Sequence, residues 1–171
     1  MLKHTCCFTG HRPESLYLNA DDGEIYSRIL KAVENAVLDG YTVFMCGGCR
    51  GGDFLFADAV LYAKTKYPEI KLCFALPCSD QANLWERADR DNYSRLLDSA
   101  DEIVCLSEKF TNGCMQKRNR YMVDRSTLLI AAYNGSAGGT EYTFNYATKK
   151  HLRIVNVLDR ITEQTDQLSF L

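Results

Sequence analysis

No run in this chain approaches the ~18 consecutive apolar residues that a membrane-spanning helix requires. The N-terminus, Met1-Leu-Lys-His-Thr5, has neither the apolar core nor the small-residue cleavage site of an export signal. The expected location is therefore the cytoplasm. A basic excess is also missing: the net charge is −2. Sequence-independent binding of nucleic acid needs such an excess, so nucleic acid is not the expected partner, although a local basic patch is compatible with this balance. Histidine is scarce, with His4, His11 and His151 scattered along the chain. Together with a single C-x-x-C, this gives no zinc-ligand spacing, and neither a metal nor a cofactor is expected. Gly-x-Ser-x-Gly and His-Glu-x-x-His are both lacking, which removes the common serine-hydrolase and metalloprotease patterns. Linkers, low-complexity stretches and internal repeats are absent as well. The 171 residues read as one domain spanning 1–171.

What is present is an alternation of strand and helix signals. Apolar runs at Thr5 to Thr9, Thr42 to Cys46, Ile70 to Leu76, Glu102 to Leu106, Leu128 to Tyr133 and Arg153 to Leu158 read as strands. Between them lie helical patterns. One is capped by Asp21 or Asp22, carries Ile25, Ile29, Ala32, Val33, Ala36 and Val37 on one face, and ends at Gly40. A second is capped by Asp53, with Leu55, Ala59, Tyr62 and Ala63, and stops before Pro68. A third opens at Ser79 or Asp80 and runs to about Leu97. The last two span Gln116 to about Ser126 and Thr140 to Lys150. Repeated β-α order predicts a Rossmann-like, three-layer α/β/α fold with a mainly parallel, doubly wound sheet. Apolar rather than alternating strands agree with burial on both faces. The tail after Asp159 is weakly patterned and stays unassigned.

Of the eight cysteines, Cys6, Cys7, Cys73 and Cys105 fall inside strand patterns, where cysteine serves as a small hydrophobe. In a reducing compartment all are thiols.

In doubly wound sheets ligands bind at the carboxyl ends of the strands. Three turns of interest fall there. Ala131-Ala-Tyr-Asn-Gly-Ser-Ala-Gly-Gly-Thr140 runs from a strand through three glycines into a helix. Gly138, Gly139 and Thr140 thus offer free backbone N–H groups at the positive end of a helix, a corner that suits an anion. Phe44-Met-Cys-Gly-Gly-Cys-Arg-Gly-Gly-Asp53 is a second such corner. It lacks the Lys-Ser/Thr of a P-loop. Gly47 and Gly48 either cradle phosphate or ribose or simply make a tight turn, and Asp53 either touches a hydroxyl or caps the helix. Cys46 and Cys49 form a C-x-x-C at this junction, where a redox thiol is one reading and an incidental pair the other. The third turn, Thr9-Gly-His-Arg-Pro13, combines a close-turning Gly10 with His11 and Arg12, either anion ligands or solvated side chains. Lys117-Arg118-Asn119-Arg120 opens a helix at the same sheet edge. Glu141 is either an acid or base or a favourable charge in a helix's first turn. Trp85 with Tyr93 reads as core packing on an amphipathic helix rather than a stacking platform.

Taken together, Phe8-Thr-Gly-His-Arg-Pro-Glu14, Gly47-Gly-Cys-Arg-Gly-Gly-Asp53, Pro77 with Gln81 and Trp85, Arg118-Asn119 with Tyr121-Met-Val-Asp124, and Gly138-Gly-Thr140 resemble the YpsA/YoqJ group of the SLOG superfamily. That superfamily is related to the DprA and LOG (lysine decarboxylase-like) Rossmann folds. The resemblance runs from about Cys6 to Ala147. It implies a pocket for a nucleotide or nucleotide-derived ligand, such as ADP-ribose or a nucleotide sugar, lined by Gly10, His11, Arg12, Gly47, Gly48, Asp53, Arg118, Asn119, Gly138, Gly139 and Thr140. Cys49 stands where a small residue such as alanine is expected. LOG-type enzymes cleave nucleoside monophosphates with an Arg and a Glu three residues after a Gly-Thr pair. Here that position holds Thr143, and Glu141 lies two residues early, roughly 200° around the helix. A phosphoribohydrolase using Arg118 and Glu141 is thus an alternative to a non-catalytic sensor. DprA-like binding of single-stranded DNA, through a segment similar to Arg118-Asn119-Arg120, is another. Rossmann-like relatives often pair through helices, which makes a homodimer a candidate assembly.

Overall fold

The computed structural model describes residues 4–16 and 21–159; the tail beginning at Arg160 lies outside them. The elements in chain order are β1 (Thr5–Gly10), α1 (Pro13–Leu16), α2 (Asp22–Leu38), β2 (Val43–Cys46), α3 (Gly52–Lys66), β3 (Lys71–Leu76), α4 (Arg87–Asp98), β4 (Glu102–Cys105), α5 (Cys114–Asp124), β5 (Leu128–Ala132), α6 (Gly139–Lys149) and β6 (Arg153–Asn156). All six strands are parallel, in the order β4-β3-β2-β1-β5-β6. At the centre, Cys7 stands opposite Met45 of β2 and Leu129 of β5. The expected Rossmann-like sheet is therefore present. No helix among the described residues is long and apolar enough to cross a membrane.

Alternation along β1 divides the interior in two, because successive strand side chains point to opposite faces. Cys6 and Phe8 join the larger core with Phe44, Phe74, the buried face of α2 and most of α3. Cys7 joins the smaller core with Met45, Cys73, Ala75 and residues of α5 and α6. Along α2, Ile25, Ile29, Val33 and Ala36 form the buried stripe, and the Asp21 carboxylate caps the helix by accepting from the Glu24 N–H at 2.8 Å. Gly40, at φ +97°, sits just past its end, where a left-handed residue closes a helix.

Four expectations are corrected. Helix α3 is not capped by Asp53: it starts at Gly52, with Gly51 at the cap, and Asp53 lies in the first turn. Tyr62 is exposed, and the buried face of α3 is built from Phe54, Phe56, Ala57, Val60 and Ala63 beside Ala59. Helix α4 starts at Arg87, not near Ser79. The polar residues that would cap an earlier start are committed elsewhere: the Ser79 hydroxyl donates to the Glu108 carbonyl, and Asp80 Oδ1 accepts from the Phe110 N–H at 3.1 Å. Trp85 thus precedes the helix, yet its ring still packs edge-on against Phe54 and Tyr93, with centroids 6.0 and 5.3 Å away. Finally, β4 is an edge strand, so Glu102, Ile103 and Cys105 are exposed.

The larger core turns on Phe56, fully buried, stacked on Phe8 at 4.7 Å and tilted against Phe44 at 6.4 Å. Phe56→Ala should cost about 3–5 kcal/mol in a urea titration, from lost transfer energy and the cavity left behind. A loss under about 1 kcal/mol would mean that the surrounding rings collapse into the gap.

Candidate functional site

The chain moves outward from β1 through β2, β3 and β4, then returns to lay β5 and β6 on the other side. The order reverses between β1 and β5, and loops leaving a reversal point part and open a crevice. There lies a cleft of about 360 Å³. Its walls come from the end of β1 with the following turn (Phe8 to Arg12, Glu14, Ser15), from Cys49 and Asp53, from α5 (Met115, Arg118, Asn119, Met122), and from Ala137 to Thr140.

Arg118 is only 4% exposed, and its guanidinium ties three segments together. Nη1 donates to the Gly47 carbonyl at 2.7 Å and to the Ala75 carbonyl at 3.4 Å; Nε donates to Asn119 Oδ1 at 2.7 Å. Gly47 has to be glycine for this: a Cβ there would stand 2.2 Å from Arg118 Nη1. Burial works against the guanidinium's charge, but Cys49 and Asp53 outweigh it and its pKa is raised.

Asp53 sits beneath the glycine loop. Its Oδ2 accepts from the Cys49 N–H at 2.9 Å. Burial pushes its carboxyl up to about 6, against the opposing pull of Arg118 and the loop amides of Cys49, Gly47 and Gly48. Gln81 fastens the same loop from outside, donating to the Gly47 carbonyl at 3.2 Å and to Tyr93 Oη at 3.3 Å.

His11 is buried, and its Nε2 accepts from the Asn134 N–H at 3.0 Å. That bond places the ring proton on Nδ1. Burial lowers its pKa, so the ring is neutral at pH 7. Asn134 is itself fixed: its Nδ2 donates to the Ser15 carbonyl, and its Oδ1 accepts from the Ser136 N–H and hydroxyl. The opposite wall is the start of α6. Gly138 occupies the cap position without any side-chain cap, and Thr143 Oγ1 donates back to the Gly139 carbonyl at 2.9 Å. The first N–H groups of an uncapped helix are free donors.

Nine of the eleven residues expected to line a pocket therefore meet around one cleft: Gly10, His11, Arg12, Asp53, Arg118, Asn119, Gly138, Gly139 and Thr140. Gly47 and Gly48 do not line it. Gly47 lies behind Arg118, and a Cβ at Gly48 would face Tyr93, Phe74 and Leu76. Glu141 lines an adjoining hollow with Tyr142, Asn145, Tyr146 and Lys149, and its carboxylate accepts from Tyr133 Oη at 3.3 Å. Arg118 and Glu141 thus do not share a wall. Arg120 is drawn aside to Tyr142 Oη at 2.8 Å. Glu14, Met122 and Ala137, which lie inside motifs already singled out but were not expected to line a pocket, join the lining together with Ser15 and Met115, for which the sequence carries no signal, and Asn134 is legible only as a turn residue. Among the described residues no group of three His, Cys, Asp or Glu is placed to hold a metal.

Residues 6–165 match the YpsA family model, the YspA SLOG family. The chain belongs to that family. It is similar to the SPbeta prophage-derived protein YoqJ of Bacillus subtilis, 36% identical over 64% of this chain and 71% of the relative. It is also similar to UPF0398 protein YpsA of the same organism, 24% identical over 83% of each. Among solved structures, this SLOG chain superposes on DNA processing protein A (DprA) from Streptococcus pneumoniae with a TM-score of 0.66 at 15% identity, over 96% of this chain but only 56% of that one. DprA from Helicobacter pylori gives 0.62 at 15% over 94% and 72%, and TM1055 gives 0.58 at 16% over 93% and 80%. These likenesses establish a shared fold.

The raised carboxyl of Asp53 has a consequence for stability. A group that holds its proton more tightly folded than unfolded stabilises the fold only while it is protonated in the folded state. With a folded value of about 6 against an ordinary 3.8, stability contributed by Asp53 should fall as pH rises from about 4 to 6 and stay level above. The wild-type minus Asp53→Asn difference in unfolding free energy should decline by on the order of 2–3 kcal/mol across that window. Urea titrations at several pH values would show it; a difference that is flat or rises with pH would contradict the assignment.

Proposed function

We propose that this SLOG domain is a binding module for a nucleotide or nucleotide derivative, of ADP-ribose or nucleotide-sugar type, and carries out no chemistry on it. The observation that carries the reading is the convergence of unspent donors on one cleft. The uncapped amides of α6 close one side. His11 Nδ1 and Asn119 Nδ2, on two residues each only 7% exposed, have no protein partner among the described residues and lie on the lining. Buried polar groups are ordinarily paired, so donors left open together are suited to a polar ligand. Arg12, which forms no ion pair among the described residues, stands at the mouth, where it can meet a second phosphate. A cleft of this volume suits a small molecule.

The hydrolase alternative is weaker because Glu141 belongs to the neighbouring hollow and the cleft's own carboxylates, Glu14 and Asp53, are each held by partners. The DNA alternative draws support from the Helicobacter pylori DprA, a protein with a single-stranded DNA binding mode. Two carboxylates in the lining and a net charge of −2 favour a small ligand over a phosphate chain. A cytoplasmic location and a homodimer belong to the same proposal.

Gly139 provides the cleanest test, since a Cβ there meets no atom of the described residues within 4 Å. Gly139→Ala should leave stability unchanged or raise it by about 0.4–1 kcal/mol, because alanine has less unfolded-state entropy to lose. It should place a methyl group where the ligand's anion approaches the helix. In a thermal-shift screen against AMP, ADP-ribose, NAD and sugar nucleotides, a wild-type hit at about 100 times its dissociation constant corresponds to about 2.7 kcal/mol, or several degrees. The variant should lose more than half of that shift. A full shift in the variant would remove the α6 corner from the site. A screen without hits, beside steep loss of single-stranded DNA binding with salt, would favour the DNA reading.

A further inference from the structure

Arg118 is unevenly satisfied. Nε and Nη1 donate to oxygen, but among the described residues Nη2 meets only sulfur, Cys49 Sγ at 3.5 Å and Met115 Sδ at 3.6 Å. Sulfur is a weak acceptor, and a buried cationic donor left with weak partners is costly. Both sulfurs line the cleft, beside the open donors of His11 and Asn119. Cys49 is only partly buried, so a small reagent entering the cleft can reach it, and its thiol is held toward Gln81 Oε1 at 3.6 Å. The other cysteine of the pair, Cys46, is fully buried; burial and the nearby Asp53 charge keep its thiol protonated.

We infer that Cys49 is a peroxide-sensitive thiol whose oxidised form takes Arg118 Nη2 and so closes the cleft to an anionic ligand. The closure rests on the ligand reading above; the oxidation does not. The Cys49 thiolate sulfur attacks the hydroxyl oxygen of a hydroperoxide, ROOH. An S–O bond forms and the O–O bond breaks. The sulfur loses two electrons to the peroxide, giving a sulfenic acid, and the departing RO⁻ takes up the proton that the thiol released on ionising. The new oxygen accepts from Nη2 far better than sulfur does, and as a sulfenate it is an anion paired with the guanidinium. Cys46 lacks the thiolate needed to resolve this product as a disulfide, so the sulfenic acid persists until an external thiol reduces it.

Limiting hydrogen peroxide with dimedone, read by peptide mass spectrometry on the full chain, tests the oxidation. Cys105 is the internal control, being exposed and, among the described residues, bonded only to the Ser107 carbonyl at 3.2 Å. Cys49 should be labelled at least about tenfold faster than Cys105, because Arg118 Nη2 at 3.5 Å stands ready to pair with the oxygen that the step adds to its sulfur. Labelling of Cys105 first, or oxidation of Met115 with Cys49 untouched, would overturn the inference. Closure is read as the thermal shift given by AMP or ADP-ribose. In wild type the shift should vanish after peroxide and return with dithiothreitol. In Cys49→Ser the shift, whatever its size, should be equal before and after peroxide. A shift that survives in fully labelled wild type overturns the closure. Reduced protein with no shift against any nucleotide would sink the ligand reading, and the labelling rates would still decide the thiol.

Discussion

The guanidinium of Arg118 is where the sheet, the glycine loop and α5 are joined. Its bonds to the Gly47 and Ala75 carbonyls reach the loop after β2 and the body of β3, while its side chain rises from α5 on the other face of the crevice. Removing this buried cation takes a donor from both carbonyls and leaves Gly47 only its bond from Gln81 among the described residues. Its charge is balanced by Asp53, which in turn holds the Cys49 amide. The loop is therefore positioned from both sides, by a cation that takes its carbonyl and a carboxylate that takes its N–H. This arrangement determines which glycines matter. Gly47 is needed because the guanidinium occupies the space of a side chain, whereas a Cβ at Gly139 meets no atom of the described residues within 4 Å.

Sheet order explains why these groups meet. Parallel strands bring every β-α turn to one edge, and the reversal between β1 and β5 separates two adjacent turns enough to admit a ligand. His11 follows β1, and the 138–140 corner follows β5, so the two walls are set by strands that are neighbours in the sheet and far apart in sequence. The Asn134 N–H to His11 Nε2 bond links those walls directly and fixes which ring nitrogen remains a donor.

Much of this is legible in the chain. Apolar runs mark all six strands, glycine turns follow β1, β2 and β5, and the carboxyl-edge rule places most of the cleft lining. The misreadings share a cause, namely that local patterns do not reveal long-range partners. Asp53 has the composition of an N-cap, but a loop amide four residues earlier claims its carboxylate. Ser79 and Asp80 resemble a helix start, yet the loop after β4 claims both. Cys105 has the apolar neighbours of a central strand, and only strand order shows that β4 is an edge. Glu141 is different: its offset of two residues from Thr143 is legible in the sequence, and in the fold it lines the adjoining hollow.

The charges within the cleft set terms for whatever binds there. Arg118 is already compensated, so an arriving anion competes with Asp53 for its field rather than meeting a bare cation. Because burial holds Asp53 near the point of neutralisation, at about 6, the site can yield to a second negative charge by taking up a proton instead of breaking the pair. Anion and proton then bind with mutual help, since coupling between two sites is reciprocal. Arg118 Nη2, spent only on sulfur among the described residues, is the part of the guanidinium that can turn to a new partner without releasing Gly47 or Ala75. The loop can therefore keep its shape while the cleft changes its occupant.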